Sequence, residues 1–262
     1  MATTKIEHPQ VVSRDEWLKA RKELLTKEKA LTRQRDALAA ERRKLPWVKV
    51  DKAYVFDAPE GKVTLADVFE GRSQLVVYHF MFGPEWQEGC PSCSFNMDHT
   101  DGALVHLAQR DVTFAAISRA PLPKIEAFKK RMGWRFKWVS SYGSDFNYDY
   151  HVSFTKDEMA RGRVNYNFDL LEFPSEEAPG ISVFYKDGNG EVFHTFSAYA
   201  RGTEMALGTY TTSISYPRVV TKTVWPLRCR GSAPMTGTMM ATWRLPRGRI
   251  GPRAPFQTPE VY

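Results

Sequence analysis

The hydrophobic positions of this chain change their spacing along its length, and each change marks an element. Residues 13–45 carry an apolar side chain every seventh position, at Trp17, Leu24, Leu31, Leu38 and Leu45, in an otherwise charged run. That spacing keeps one narrow stripe on a helix. Ser13 and Glu16 form an S-x-x-E capping box at its start, and Pro46 ends it. The companion positions are Lys, Arg, Gln and Glu, so the stripe is not a full two-position seam. The pattern predicts a helix strapped along its own domain, with a homodimerisation arm as the sharper alternative.

Beyond residue 46 the period becomes that of strands. Tyr54–Phe56 and Val63–Leu65 read as short strands around a Pro59-Glu60-Gly61 turn, with a helical turn at Leu65–Phe69 closed by Gly71. Leu75–Phe82 is a continuous apolar run, the mark of a strand buried on both faces, and Gly83-Pro84 breaks it. Helix-like sequence runs from Ser94 to about Ala108, followed by a buried strand at Val112–Ser118. Pro121–Met132 is an amphipathic helix with Ile125, Phe128 and Met132 on one face and Gly133 as C-cap, and Phe136–Ser140 is a strand. Residues 142–173 are rich in Asn, Asp and Tyr and too long for a plain connection, so they predict an insertion packed near the site. A strand at Ile181–Tyr185, a hairpin turn at Asp187–Gly190, a strand at Val192–Phe196 and a helix at Arg201–Gly208 complete a β-α-β-α-β, insertion, β-β-α order.

The chemistry sits where the central strand hands over to a helix. Cys90-Pro91-Ser92-Cys93 places two cysteines two residues apart at that junction, which is the thioredoxin-type arrangement. Residues three apart share a helix face with Cβ atoms about 5–6 Å apart. A disulfide needs about 3.5–4.5 Å, a small adjustment in a first turn. Pro91 suits the first helical position, which has no use for a backbone donor. Cys90 then lies where the unpaired N–H groups and the helix dipole stabilise a thiolate, and it is read as the nucleophile. Cys93, one turn in, is read as the more buried resolving thiol. Trp86, in the loop before Cys90, reads either as a cover for the site or as plain packing. Pro179, just before a strand, matches in chain order the substrate-orienting cis proline that a thioredoxin-like arrangement implies opposite the cysteines, with an ordinary trans turn proline as the alternative.

Other readings compete. A zinc or copper site would need ligands from His79, His99 and His106, because no second CxxC exists and the third cysteine is Cys229. Two inert buried cysteines are a further alternative. A peroxiredoxin-like peroxidase would need P-x-x-x-[ST]-x-x-C, but Gln87 stands at the hydroxyl position and Gly83 at the proline position, with Pro84 one place off. A thioredoxin-fold scaffold without turnover is the alternative outside enzymes. The dithiol reading calls for no metal and no cofactor. Its partners are a protein or small-molecule disulfide and a cellular dithiol reductant.

Charge changes the picture only by its position. The chain has 262 residues and a net charge of +7, but from Thr211 onward there are eight basic residues and one acidic, leaving 29 of each before it. The neutral body argues against a nucleic-acid face. No long apolar segment predicts a membrane span, and no apolar leader follows the N-terminus, so a cytoplasmic location is expected.

Residues 10–210 resemble a bacterial thioredoxin-like family, long carried as a domain of unknown function and described as predicted dithiol–disulfide oxidoreductases. The stretches that carry the resemblance include LADVFEGRSQLVVYHFMFGPEW, EGCPSCSF, ISRAPLPKIEAFKKRMGW, SSYGSDFNYDYHVSF and PGISVFYKDGNGEVFHTFSAYARG. The expected architecture is a thioredoxin-like three-layer α/β/α sandwich over residues 47–210. A helical extension, 1–46, precedes it, and an irregular tail, 211–262, follows.

The tail reads as a frameshifted form of that family's ending. It is rich in Pro, Arg, Thr and Met, nearly free of acid, and has no helix or strand period. Reading the third base of each codon with the first two of the next, from Thr211, permits YLDL-x-PKGRDEDGLA across residues 211–226 and WVR-x-HDRY across 230–238. Both resemble the expected ending. The alternative is a real basic tail that binds nucleic acid or an acidic surface. Resequencing the gene is expected to reveal one missing base near codon 211; an intact frame there would remove the proposal.

Overall fold

The structure, a computed structural model, describes residues 10–206. The expected frameshifted tail, its Cys229 and the last two residues of the expected C-terminal helix lie outside them.

The first element is a long helix, α1 (Arg14–Arg42), opened by Ser13. The Glu16 carboxylate accepts from the Ser13 N–H at 3.0 Å and from its hydroxyl at 2.7 Å, while the Glu16 N–H donates back to the Ser13 hydroxyl. Two of the donors that any helix start leaves unpaired are thereby satisfied. The helix buries none of its residues. Trp17 is 52% exposed and Leu31 49%, so the stripe is not strapped onto the domain, contrary to the favoured expectation. The reason is in the companion positions: with charge on either side, one apolar residue in seven is too little surface to hold a helix against a core.

The body is one mixed sheet. Its strands are β1 (Val48–Lys49), β2 (Val55–Ala58), β3 (Gly61–Thr64), β4 (Gln74–His79), β5 (Val112–Ser118), β6 (Lys137–Ser140), β9 (Gly180–Lys186) and β10 (Val192–Tyr199). β7 (Val164–Tyr166) and β8 (Asp169–Leu171) form a separate hairpin in the insertion. Among the described residues the sheet order is β1-β10-β9-β4-β5-β6-β2-β3. β4, β5 and β6 run parallel, while β9 is antiparallel to β4 and β10 to β9. The helices between them are α2 (Leu65–Val68), α3 (Pro91–Asp101), α4 (Leu104–Ala108), α5 (Leu122–Met132), α6 (Phe146–Asp149) and α7 (Lys156–Ala160). A 3-10 helix, Ala200–Ala206, takes the place of the expected last α-helix. The expected single helix over 94–108 is two, parted at Gly102 and Ala103.

Strand alternation builds the three layers. Leu75 and Val77 of β4, Ala115 and Ile117 of β5 and Val139 of β6 point to one face, against Val68, Phe69 and Phe146. Tyr78, Phe114, Ala116 and Trp138 point to the other, against Met97 of α3 and Ile125 and Phe128 of α5. This βαβ unit with an antiparallel hairpin beside β4 is a thioredoxin-like α/β/α sandwich. The insertion packs Val152, Phe154, Val164 and Tyr166 against Ala178 and Tyr199 of the sandwich in a small separate cluster.

On the second face the aromatic rings touch one another. Phe80 and Trp138 have ring centroids 4.4 Å apart, and Trp134 and Phe128 complete the group around Phe80. Phe80→Ala empties the centre of this cluster and is expected to cost about 3–5 kcal/mol of stability by urea unfolding. A loss below about 1 kcal/mol would show that the cluster collapses without it.

Candidate functional site

The site begins where β4 ends. The chain continues beside β5 after His79, with the Phe80 N–H donating to Ile117 O at 3.0 Å and the Ala120 N–H to Phe82 O at 2.8 Å. Residues 83–89 then loop out, and the Cys90 N–H returns to Met81 O at 3.0 Å. Gly89 permits that return: a Cβ there would lie 2.7 Å from the Phe80 ring. Cys90 is the N-cap of α3 and Pro91 opens the helix, as the spacing predicts. The first helical bond runs from the Ser94 N–H to Cys90 O at 2.9 Å, and the Ser94 hydroxyl adds a second donor to that oxygen at 3.0 Å.

Both cysteines are thiols and both are buried: Cys90 is 3% exposed and Cys93 1%. The loop over them is pinned from three sides. The Trp86 indole donates to Glu176 Oε1 at 3.2 Å, and Lys124 Nζ donates to Pro84 O at 2.7 Å and Trp86 O at 3.2 Å. Arg131 grips both carboxylate oxygens of Glu88. Trp86 is half-buried against the cluster that holds both cysteines.

Pro179 does not adopt the expected geometry. No cis peptide bond occurs among the described residues, so Ala178–Pro179 is trans. The backbone is held extended on both sides of it: the Ala178 N–H donates to Val152 O at 2.8 Å, and β9 starts at Gly180. Its carbonyl accepts from the Tyr166 hydroxyl at 2.7 Å, so the insertion occupies the group expected to face substrate.

Two tyrosines that the sequence reading passed over stand at the thiols. Tyr78, 2% exposed, lies on the same face of β4 as the cysteines and packs in the cluster that holds both. Burial pushes its phenol well above the ordinary tyrosine range, and the charge of a Cys93 thiolate pushes it further. Tyr166 is raised by burial, and Cys93 adds to the rise. A hydroxyl-bearing side chain inside the run Leu75–Phe82 was the available signal, since a buried phenol requires a partner.

The next residue, His79, points to the opposite face. Its Nε2 meets the Ser182 hydroxyl at 2.8 Å, which meets Ser197 at 2.8 Å, which meets His194 Nε2 at 2.8 Å. Burial lowers its pKa to about 3, so it stays neutral. His99 is tied to Phe95 O at 2.7 Å on α3, and His106 lies on α4. Among the described residues no three His, Cys, Asp or Glu side chains gather as a metal site.

A family model described as a bacterial protein of unknown function, DUF899, matches residues 6–215. The chain belongs to this family. No curated protein matches it in sequence. Solved structures similar to the chain include a cysteine-to-serine mutant of peroxiredoxin Q from Xanthomonas campestris, at 14% identity over 62% of this chain and 90% of that one, with a TM-score of 0.43. The bacterioferritin comigratory protein of Xanthomonas campestris matches at 11% identity over 67% and 100%, with a TM-score of 0.44. Peroxidoxin BcpB from Mycobacterium tuberculosis matches at 14% over 63% and 95%, with a TM-score of 0.38. Among the described residues of this DUF899 chain, no helix is long and apolar enough to cross a membrane.

Near the pinned loop, the Glu177 side chain, 1% exposed, accepts from Arg119 Nε at 2.6 Å and from the Ser153 hydroxyl at 2.7 Å. Burial raises its pKa from 4.5 to about 7, although Arg119 and Ser153 pull it down. The folded chain therefore holds this proton more tightly than the unfolded one. The resulting stability is complete below about pH 4.5 and is lost as pH rises through about 7. Urea midpoints measured from pH 4.5 to 8 should show Glu177→Gln losing less stability than wild type over that range; parallel curves would rule the titration out.

Proposed function

We propose that the protein is a thiol–disulfide oxidoreductase that uses Cys90 as nucleophile and Cys93 as resolving thiol. The observation that carries the reading is the placement of Cys90 as N-cap of α3, with Pro91 opening the helix and Cys93 in the same first turn. The unpaired N–H groups of that turn and the helix dipole favour a thiolate at Cys90. The thiolate attacks a substrate disulfide, forming a Cys90 mixed disulfide and releasing one substrate thiolate, which takes up a proton. Cys93 then attacks the Cys90 sulfur, closing the Cys90–Cys93 disulfide and releasing the second substrate thiol. The substrate gains two electrons and two protons, and a cellular dithiol returns the pair to its reduced state.

With Cys90 3% exposed, substrate reaches the sulfur by displacing part of its cover, and Trp86 on the loop 83–89 is the side chain positioned to move. Pro179 would contribute through the β9 entrance rather than through a cis bond, and its carbonyl opens to substrate only if Tyr166 releases it. A peroxidase reading finds less support. No hydroxyl stands at Gln87, and the nearby Ser94 hydroxyl is spent on the Cys90 carbonyl. A covered sulfur sets no size on the substrate, so both protein and small-molecule disulfides belong to the proposal.

Cys93→Ser, offered a disulfide substrate, is expected to accumulate a mixed disulfide at Cys90 that mass spectrometry of tryptic peptides locates. A mixed disulfide that instead builds up at Cys93 in Cys90→Ser, with none in Cys93→Ser, would reverse the roles. Wild-type thiol counts unchanged by mild oxidant would favour the scaffold.

A further inference from the structure

The loop 83–89 leaves the strand end at Phe82 and returns at Cys90, and two elements hold it in different ways. Helix α5 grips its backbone and its far end. Lys124, Phe128 and Arg131 follow one another at four and three residues, so they share one face of that helix. Lys124 Nζ donates to Pro84 O at 2.7 Å and Trp86 O at 3.2 Å, and Arg131 grips the Glu88 carboxylate. The Arg131 guanidinium lies over the Phe128 ring, 4.6 Å from its centroid. Phe128 fills the space against Gly89, where a Cβ would come within 3.1 Å of the ring. The loop is thus tied to one rigid helix at its start, its middle and its end.

Glu176, on the chain returning from the insertion, holds a side chain instead. The Trp86 indole has a single donor, and it goes to Glu176 Oε1 at 3.2 Å. Glu176 is not free to follow the ring: its carbonyl accepts from the Phe154 N–H at 2.9 Å, and its neighbour Glu177 is bridged to Ser153. Gly83 lies against the pair, where a Cβ would stand 3.0 Å from the indole Nε1 and 3.1 Å from Glu176 Oε1. We propose that the Trp86 indole is a side-chain gate over Cys90, latched by Glu176, and that it swings while the loop backbone stays clamped to α5. Swinging the indole breaks one hydrogen bond, and water re-forms both halves of it. Lifting the loop breaks both Lys124 bonds and the Glu88–Arg131 pair together, so the indole is the easier part to move. Glu176 is then the residue that sets access to the nucleophile. The inference deepens the dithiol reading and rests on it for the identity of the thiol behind the gate.

The test compares the latch with the clamp. In a Cys93→Ser background, alkylation of Cys90 by iodoacetamide is timed by mass spectrometry of the tryptic peptide that carries it. Glu176→Ala removes the acceptor and is expected to speed alkylation about fivefold. Gly83→Ala puts a methyl group against the indole and Glu176, and is expected to act in the same direction. Lys124→Met removes two ties of the backbone and none of the indole, and is expected to leave the rate unchanged. Lys124→Met matching or exceeding Glu176→Ala would overturn the gate in favour of a loop that lifts as a whole. Unchanged rates in both Glu176→Ala and Gly83→Ala would overturn it too, reducing Trp86 to packing. Acceleration that only tracks a fall in each variant's urea midpoint would mean general loosening and would also overturn it. Gated alkylation of a Cys90 that forms no mixed disulfide with a disulfide substrate would sink the dithiol reading and leave the gate standing.

Discussion

One backbone hydrogen bond, from Cys90 N–H to Met81 O, fixes the relation between the central strand and the helix that carries the thiols. β4 is buried on both faces, so it has no freedom to tilt or slide, and its extension through Phe82 stays in register with β5. The loop 83–89 leaves and returns within that constraint. Its return brings Gly89 against the Phe80 ring, closer than any side chain would allow, and the first turn of α3 is laid over the aromatic cluster. A looser closure would leave Cys90 on a flexible approach, with neither a fixed helix start nor a fixed distance to the strand beneath.

The same strand end divides its polar groups between two layers. Tyr78 and His79 are neighbours in sequence, yet alternation sends one to the thiols and the other to the serine–histidine network on the opposite face. Each face thus receives one polar group at the carboxyl end of the central strand, where open α/β sheets gather their chemistry. The two environments stay separate because the sheet lies between them.

The elements with strong period were legible in the sequence. Val112–Ser118 is β5 with the same bounds, and Pro121 to Gly133 gave the α5 N-cap, buried Ile125 and Phe128, and a left-handed C-cap. The CxxC needed only its strand–helix context. What escaped was set by tertiary pairing. β1 is two residues long and exists because Val48 and Lys49 meet His194 and Phe193 across the sheet edge. The insertion's small helices and hairpin have no period long enough to read. The partnership of Arg119 with Glu177 joins residues 58 apart in sequence. The Pro179 expectation transferred a position along the chain without the backbone contacts that hold residues 178–180 extended. The α1 stripe was visible, but spacing alone does not tell a helix packed on its domain from one that stands clear of it.

That exposed helix has a consequence for how the molecule comes apart. At about 1.5 Å per residue, α1 is roughly 43 Å long, and none of its residues is buried. Its order comes from the capping box, the Arg21–Glu28 pair and backbone bonding, interactions each worth a fraction of a kcal/mol to about one. Helix–coil exchange in such a segment is fast and nearly independent of the core. The chain thus contains two regimes of cooperativity, a sandwich that opens as a unit and an N-terminal helix whose amides rest mainly on its own turns.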